Sequence, residues 1–282
     1  MPRQDVSCAM LVLAGTLACA KSEPPPPPPA PPGPPAVVRV VAREFSFEMP
    51  DTLTAGLTTF VLADSGAELH HIQIARLEQG KTVADLTELK PGVSPPAWFV
   101  EIGGPNAAVP GGGEISGTLD LAPGNYVALC FIPSPAPDLK PHFVKGMVHP
   151  FVVVPTDEKR QAPEPHFTIT LNDYNFNFSA PIPAGTHDVR VVNAGPQPHE
   201  VLIVRLDPGK KATDLLTWFG KGMNDKPPGV PVGGTTGIAP NGENLIKLTL
   251  TPGEYGLYCF VDDAKDGKMH IEHGMVSQFT VE

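Results

Sequence analysis

Four potential metal ligands lie within one short stretch near the C-terminus. Residues 259–275 read CFVDDAKDGKMHIEHGM, which places Cys259, His270, His273 and Met275 in and around a polar loop. Thiolate and thioether sulfur are soft ligands, whereas imidazole nitrogen binds a wider range of transition metals. The stretch could therefore supply several ligands to one metal ion, or its four residues could simply share a loop.

Similar residues recur earlier in the chain, because most of the sequence is an internal repeat. Self-similarity at a fixed spacing indicates tandem structural units. We therefore predict two homologous units, 37–155 and 165–282, joined by a linker at 156–164. The aligned pairs are ELHHIQIARL (68–77) with QPHEVLIVRL (197–206), APGNYVALCF (122–131) with TPGEYGLYCF (251–260), and HFVKGMV (142–148) with HIEHGMV (270–276).

Each unit has the sequence pattern of a β protein. Its apolar segments are short, alternate with polar residues and are bounded by Gly and Pro. The chain's 36 Pro and 28 Gly are typical of a protein rich in turns. The one helical segment per unit lies near 81–89 and 210–219. We predict an all-β fold with two tandem Greek-key β-sandwiches, each with one short helix.

The N-terminal residues are predicted to direct export. Residues 1–18 combine Arg3 with an apolar run that is too short to span a bilayer, as a signal peptide does. Residues 16–19, TLAC, resemble a bacterial lipobox, in which Cys19 becomes the lipidated first residue; a simple secretory signal is the alternative. Residues 19–36 are then a lipid-anchored, Pro-rich linker in the extended polyproline II conformation.

Charge and cysteine content restrict the partners and the chemistry. The formal net charge of −10 argues against nucleic acid, which requires clustered Lys and Arg. Cys8 would leave with the signal peptide and Cys19 would carry lipid, so Cys130 and Cys259 remain in the exported protein. In an oxidising compartment such cysteines form a disulfide or bind a metal. The two occupy equivalent places in the repeat, so we expect each to act within its own unit.

The order of these residues resembles that of the cupredoxin family over both units. The likeness rests on Asn-x-Gly-x-x-x-His at 193–199, Pro-Gly-x-Tyr-x-x-x-Cys at 252–259 and His-x₄-Met at 270–275. Two His, one Cys and a weak axial Met are the ligands of a blue-copper centre. The resemblance implies two copper ions, one per unit. The ligands that it implies are His70, Cys130, His142 and Met147 in the first unit, and His199, Cys259, His270 and Met275 in the second.

Two further histidines are competing ligands. His71 follows His70, but successive strand residues face opposite sides of a sheet, so His70 is preferred. His273 aligns with Lys145 of the first unit, and we expect it to be exposed to solvent. The loops between Cys and the second His, 131–141 and 260–269, are longer than in small cupredoxins such as plastocyanin and are similar in length to those of copper nitrite reductases.

Two cupredoxin units in one chain also resemble multicopper oxidases and nitrite reductases, which add a second copper centre fed through a His beside the Cys. No His flanks Cys130 or Cys259, and His149, His166 and His187 are scattered in the sequence. We therefore predict an electron carrier of the bacterial cell envelope rather than an enzyme. It would exchange electrons with another redox protein, such as a cytochrome, through the partly exposed edge of the second His.

Two other functions are open. The protein could store or deliver copper, although the chain has only 7 Met and no cluster of Met or His, which copper-handling proteins often carry. Alternatively, the sandwiches could be metal-free modules that present loops to a partner. Strong colour with Cu(II), colourless Cu(I) binding and absence of binding would distinguish the three functions.

Overall fold

The structure, a computed structural model, describes residues 31–90 and 92–282. Residues Pro32–Glu282 form one compact unit. The signal peptide, Cys19 and most of the Pro-rich linker lie outside the described residues, so the expectations for them stay predictions. In the described part of the chain, no helix is both long enough and apolar enough to cross a bilayer.

The first half of the compact unit is built from short strands with one buried face. The alternating burial in β4 is typical: every second side chain from Thr58 to Asp64 is buried. The strands of this half are β1 (Ala36–Arg43), β2 (Ser46–Glu48), β3 (Thr52–Thr54), β4 (Gly56–Asp64), β5 (Gln73–Leu77), β6 (Phe99–Gly103), β7 (Ile115–Leu121), β8 (Gly124–Leu129) and β9 (Val148–Val154).

The second half repeats this strand succession without a counterpart of β3. Its single α-helix, α1 (Thr213–Gly220), buries Leu215 against the sheet. The strands are β10 (Phe167–Asn172), β11 (Asn175–Phe178), β12 (Gly185–Asn193), β13 (His199–Leu206), β14 (Gly229–Ile238), β15 (Glu243–Leu250), β16 (Gly253–Tyr258) and β17 (Val276–Val281).

The predicted all-β fold is confirmed, with one difference in the first half. There the predicted helix near 81–89 is a short 3-10 helix, Val83–Glu88, which begins with a capping box between Thr82 and Asp85. It ends at Leu89, shortly before Pro91. Because the residue that precedes a proline disfavours the α conformation, this segment has no room to extend into an α-helix.

Both sheets continue from one half of the molecule into the other. One sheet has the strand order β11-β10-β12-β15-β7-β4-β1-β2, and the other has the order β17-β16-β13-β14-β6-β5-β8-β9-β3. β15 pairs with β7 in the first sheet, and β14 meets β6 in the second through Ile238 and Ile102. The repeat did not predict this junction. The β14 sequence, GVPVGGTTGI, lacks the alternating apolar pattern of a strand because it is rich in Gly and contains Pro.

Each half encloses its own apolar core between the two sheets. The core of the first half includes Cys130 and Met147, and that of the second half includes Cys259 and Met275. All four side chains are fully buried. The sulfur-bearing residues therefore lie inside the sandwiches, where metal bound to them would be shielded from water.

Candidate metal centres

Three segments that are distant in sequence form each candidate centre. In the second half, His199 begins β13 and Cys259 directly follows β16. His270 begins a 3-10 helix, His270–His273, which Gly274 ends with a left-handed φ of 92°. A non-glycine residue would be strained in that conformation. The reversal at Gly274 brings the Met275 amide back to the His270 carbonyl at 2.9 Å, which explains the His-x₄-Met spacing.

The first half repeats this arrangement closely. His142 begins the 3-10 helix His142–Lys145, and Gly146 ends it with φ 104°. The Met147 amide donates to the His142 carbonyl at 3.0 Å. The long loops before the two 3-10 helices are also ordered: bridges join Pro133 to Pro141 in the first half and Asp262 to Met269 in the second.

The structure brings six of the eight expected ligands into two compact groups. One is His70, Cys130 and His142, and the other is His199, Cys259 and His270. The ligand atoms of each group lie within 4.8 Å of one another, and all six residues are buried. Met147 and Met275 lie in the same cores as the two cysteines, next to these groups along the chain.

The spacing of the ligand atoms suits a single metal ion. In the first group, His70 Nδ1 and His142 Nδ1 are 3.1 Å apart, and Cys130 Sγ lies 3.5 Å from His142 Nδ1. In the second, Cys259 Sγ lies 3.3 Å from His270 Nδ1 and 4.0 Å from His199 Nδ1. Ligands about 2.0–2.3 Å from one ion in a trigonal plane would be roughly 3.5–3.7 Å apart. The donor set of thiolate and two imidazoles suits copper.

A glycine stands beside the first His of each group because the histidine ring leaves no room for a side chain. A Cβ at Gly66 would lie 2.9 Å from His70 Nε2, and a Cβ at Gly195 would lie 2.6 Å from His199 Nε2. The glycine of the Asn-x-Gly and Asp-Ser-Gly motifs therefore has a packing role. The preceding turn is held by Asn193, whose Oδ1 accepts the Gly195 amide at 2.9 Å.

Carboxylates hold the outer nitrogens of the histidines. His199 Nε2 donates to Asp173 Oδ1 at 2.7 Å, and His142 Nε2 donates to Glu68 Oε2 at 3.0 Å. A proton held on Nε2 leaves the Nδ1 lone pair free for a metal. The remaining histidine of each group has a carboxylate oxygen 3.7 Å from Nε2, supplied by Glu44 for His70 and by Asp263 for His270.

An aromatic residue covers the second His in each half. Phe45 packs edge-on against His142 with ring centroids 5.2 Å apart, and Tyr174 packs against His270 at 5.4 Å. Both histidines are 0% exposed. The sequence-based prediction of a partly exposed histidine edge is therefore wrong, because these two residues, which come from distant turns, close the site.

Burial also controls the protonation of the ligands. Desolvation raises the pKa of Cys130 to about 12 and that of Cys259 well above its usual value. Desolvation lowers the pKa of the ligand histidines, with that of His270 falling to about 4 with the help of repulsion from His199. The imidazoles are therefore neutral near pH 7, and a metal that binds must displace the thiol proton.

The other histidines lie outside the two groups. His71 accepts the Phe131 amide on Nε2 at 2.8 Å, and burial lowers its pKa to about 3. His273 stacks on Tyr174 and pairs with Asp266 at 3.1 Å. His166 and His187, which are scattered in the sequence, are neighbours in the fold, with ring centroids 5.8 Å apart. His166 directly precedes β10 and His187 belongs to β12, and both are far in sequence from either cysteine.

The covering and carboxylate residues were missed by sequence reasoning, although the repeat contains a signal for them. REFSF (43–47) aligns with NDYNF (172–176), so an acidic residue followed by an aromatic one recurs at equivalent positions. Glu44 and Asp173 are the acidic members, and Phe45 and Tyr174 the aromatic ones. Nothing in the sequence, however, shows that the turn which carries them folds over the ligands.

A second buried polar cluster lies where the two halves meet. Glu101 on β6 is 6% exposed, and burial together with repulsion from Glu200 and Asp262 raises its pKa to about 8. Its neighbour Glu200, on the ligand strand β13, has a pKa raised by burial to about 7, and its Oε1 accepts the Phe260 amide at 2.8 Å.

Glu101→Gln is expected to stabilise the protein more at pH 9 than at pH 5. The pKa of Glu101 is higher in the folded protein than its usual 4.5, so the folded state binds the extra proton and loses stability as pH rises from about 4.5 through 8. The loss would be on the order of 3–5 kcal/mol for a group this buried. Urea unfolding of both proteins at the two pH values measures it. An equal difference at pH 5 and pH 9 would contradict the assignment, and Glu48→Gln, which is exposed, is the matched control.

Comparisons with known proteins found similar solved structures only. No protein-family model matches the chain, and no curated protein does. One similar solved structure is dithionite-reduced auracyanin from Roseiflexus castenholzii, with 22% identity over 44% of this chain and 100% of that one and a TM-score of 0.32. Another is auracyanin A, a "blue" copper protein from Chloroflexus aurantiacus, with 17% identity over 43% of this chain and 99% of that one and a TM-score of 0.29. A multicopper oxidase is similar over 87% of this chain and 88% of that chain, with 14% identity and a TM-score of 0.23.

With TM-scores below 0.5, these likenesses carry no argument about what this chain does. The chain itself contains two sandwiches of similar strand succession, each with a buried His–Cys–His group and a Met that follows the second His by five positions. These features agree with the cupredoxin resemblance of the sequence: the chain has two tandem β-sandwiches, each with a candidate metal centre whose donor set suits copper.

Proposed function

We propose that this chain is an electron-transfer protein with a type 1 copper centre in each half. The observation that carries the proposal is the convergence, in both halves, of two histidine Nδ1 atoms and one cysteine Sγ inside an apolar core. Copper bound there would supply a one-electron couple between Cu(II) and Cu(I). Met147 and Met275 are the proposed axial ligands.

The protein's own residues prepare each centre for that role. The hydrogen bonds from His142 to Glu68 and from His199 to Asp173 fix one imidazole per centre in the tautomer that presents Nδ1. Phe45 and Tyr174 keep water from the second His. A site whose ligands cannot rearrange favours electron transfer over ligand exchange.

The arrangement of histidines supports a carrier rather than an oxidase. In the described residues, one other group could hold a metal, namely Asp263, Asp266 and His273. In that group Asp263 already accepts hydrogen bonds from Tyr174 and Gln197. Within residues 31–90 and 92–282, then, no cluster of histidines adjoins either cysteine to hold a catalytic copper.

Copper storage or delivery is less well supported. A delivery site must exchange its ion with a partner, and exchange requires ligands that the partner can reach. Here all six His and Cys ligands are 0% exposed. No observation on the described residues favours a metal-free binding module over the two converging ligand sets.

The setting of the proposed function is the bacterial cell envelope. The signal-like residues 1–18, the lipobox-like Cys19 and the Pro-rich spacer support an exported protein tethered to a membrane by lipid, periplasmic or facing the outer membrane. Its partner would be another envelope redox protein, such as a cytochrome. The net charge of −10 favours a partner with a basic docking face.

Titration of the mature protein with Cu(II) is expected to saturate at two ions per chain and to produce an intense thiolate-to-copper band in the visible. Ascorbate should bleach the band and a mild oxidant should restore it, because each centre changes oxidation state without losing its ligands. Optical titration with metal analysis measures both. A chain that binds copper without the band, or that releases it on reduction, would contradict the electron-transfer function.

A further inference from the structure

A large cavity lies between the two halves, apart from the two metal centres. Its volume is about 730 Å³, within the range of small-molecule sites. The ligand loop of the first half and the α1 region of the second contribute to its walls. The aromatic residues that line it are Phe131, Phe143, Trp218, Phe219 and Phe260.

One part of the cavity lining is apolar and exposed to solvent, and we call it the entrance. Val93, Leu139 and Val230 line it and are 59%, 51% and 51% exposed. The buried polar side chains of the cavity lining include His71, Asn106, Glu101 and Glu200, all of them at least nine-tenths buried. We call these four residues the floor group.

Three members of the floor group are already hydrogen-bonded. His71 accepts a hydrogen bond from the Phe131 amide, and Glu200 accepts one from the Phe260 amide. The side-chain nitrogen of Asn106 donates to Glu200 Oε2 at 3.3 Å. The carboxyl of Glu101 makes no hydrogen bond to any residue that the structure describes, although the side chain is 6% exposed. Buried polar groups are nearly always paired, so this carboxyl is open to a ligand.

Gly237 leaves the space that the Glu101 carboxyl occupies. A Cβ at position 237 would lie 2.2 Å from Glu101 Oε1, so any side chain there would displace the carboxyl. Gly237 belongs to β14 in the second half, whereas Glu101 belongs to β6 in the first. A glycine of the second half therefore makes room for an acidic side chain of the first half beside the cavity.

The titratable residues that line the cavity are mostly acidic. Its lining contains five carboxylic residues and a single basic side chain, Lys90. His71 is neutral, since burial depresses its pKa. The acidic residues are Glu68, Glu101, Glu200, Asp225 and Asp262.

We infer that this cavity binds a small organic cation, a protonated amine on an aromatic or other apolar body, with its ammonium group on the Glu101 carboxylate and its body between the aromatic walls. A charge-assisted hydrogen bond would pair the free carboxyl. The faces of aromatic rings attract cations as well as apolar surface. The floor group is not among the clusters of described residues whose atoms are close enough to hold a metal ion, which favours an organic ligand.

The inference does not depend on bound copper and is tested by binding alone. The probe is 1-naphthylmethylammonium, and its neutral counterpart is 1-naphthalenemethanol. Calorimetry at pH 8.5, where Glu101 with its pKa of about 8 is mostly ionised, measures both with copper-free and copper-loaded protein. We expect one ammonium ion to bind per chain, about tenfold or more tightly than the alcohol, since a bond to a charged group is worth at least that factor. Failure of the copper titration would leave this result unaffected.

Three variants make the test specific. Glu101→Gln should abolish the preference for the ammonium probe, whereas Glu48→Gln, an exposed carboxylate on β2, should retain it. Val230→Trp, at the exposed entrance, should weaken the binding of both probes. The inference is wrong if the two probes bind equally to the native chain, if neither binds, or if the preference survives Glu101→Gln.

Discussion

Cys259→Ser is expected to remove one centre's share of the visible thiolate-to-copper band and to reduce the copper content from two ions to one. The band requires a thiolate bonded to Cu(II), and a serine oxygen cannot replace it. Cys259 is fully buried, and serine is close to it in size, so the fold should persist while the soft ligand is lost. Visible absorption and metal analysis of the loaded protein measure the effect.

Cys130→Ser is the matched variant for the other centre. It should remove the first centre's share of the band, and the double variant should have no band. Because the two cysteines occupy separate cores, the effects of the two substitutions should add. If both single variants kept the native spectrum, the ligand assignment would be wrong. If Cys259→Ser alone abolished the whole band, only the second half would hold type 1 copper.

Asp173→Asn is expected to raise the reduction potential of the second centre by on the order of 100 mV. The carboxylate accepts the His199 Nε2 proton at 2.7 Å, so its negative charge stabilises Cu(II) more than Cu(I). A unit charge roughly 6 Å from the ion at an effective dielectric constant of about 20 contributes about 2–3 kcal/mol, and about 59 mV corresponds to a tenfold change for one electron. Redox titration of the band measures the shift.

The Cys130→Ser background isolates the second centre for this measurement. Asp266→Asn is the control, since Asp266 pairs with His273, which is outside the ligand group. Glu68→Gln should have the corresponding effect on the first centre, because Glu68 accepts the His142 Nε2 proton at 3.0 Å. An unchanged potential in Asp173→Asn, or an equal shift in Asp266→Asn, would show that the carboxylate does not act on the copper.

The covered histidines restrict how electrons reach the copper. His142 and His270 have no exposed edge, so a partner would contact the covering residues instead. Lys145 lies 3.9 Å from the Phe45 ring in the first half, and His273 stacks on Tyr174 at 4.8 Å in the second. Lys145 and His273 are equivalent in the repeat. The two halves therefore present related but chemically different surfaces to a partner.

Ligand identity could be predicted from sequence because it depends on residue type, order and repetition. His199, Cys259 and His270 have counterparts at equivalent places in the first half. His273 aligns with Lys145 instead, so the repeat argues against it as a ligand. The strand pattern was equally readable, since alternation of apolar and polar residues follows directly from the two-residue period of a strand. The β14 strand could not be recognised in the same way, because its glycine and proline residues interrupt the alternation.

Burial and electrostatics at the centres could not be predicted, because they arise between segments far apart in sequence. Phe45 and Tyr174 lie in the turns after β1 and β10, and neither turn is recognisable as a cover until the sandwich closes. The same turns carry Glu44 and Asp173. The repeat was sufficient to identify the metal ligands, whereas the joined sheets, the carboxylates around the histidines and the cavity above Glu101 follow only from how the two halves pack together.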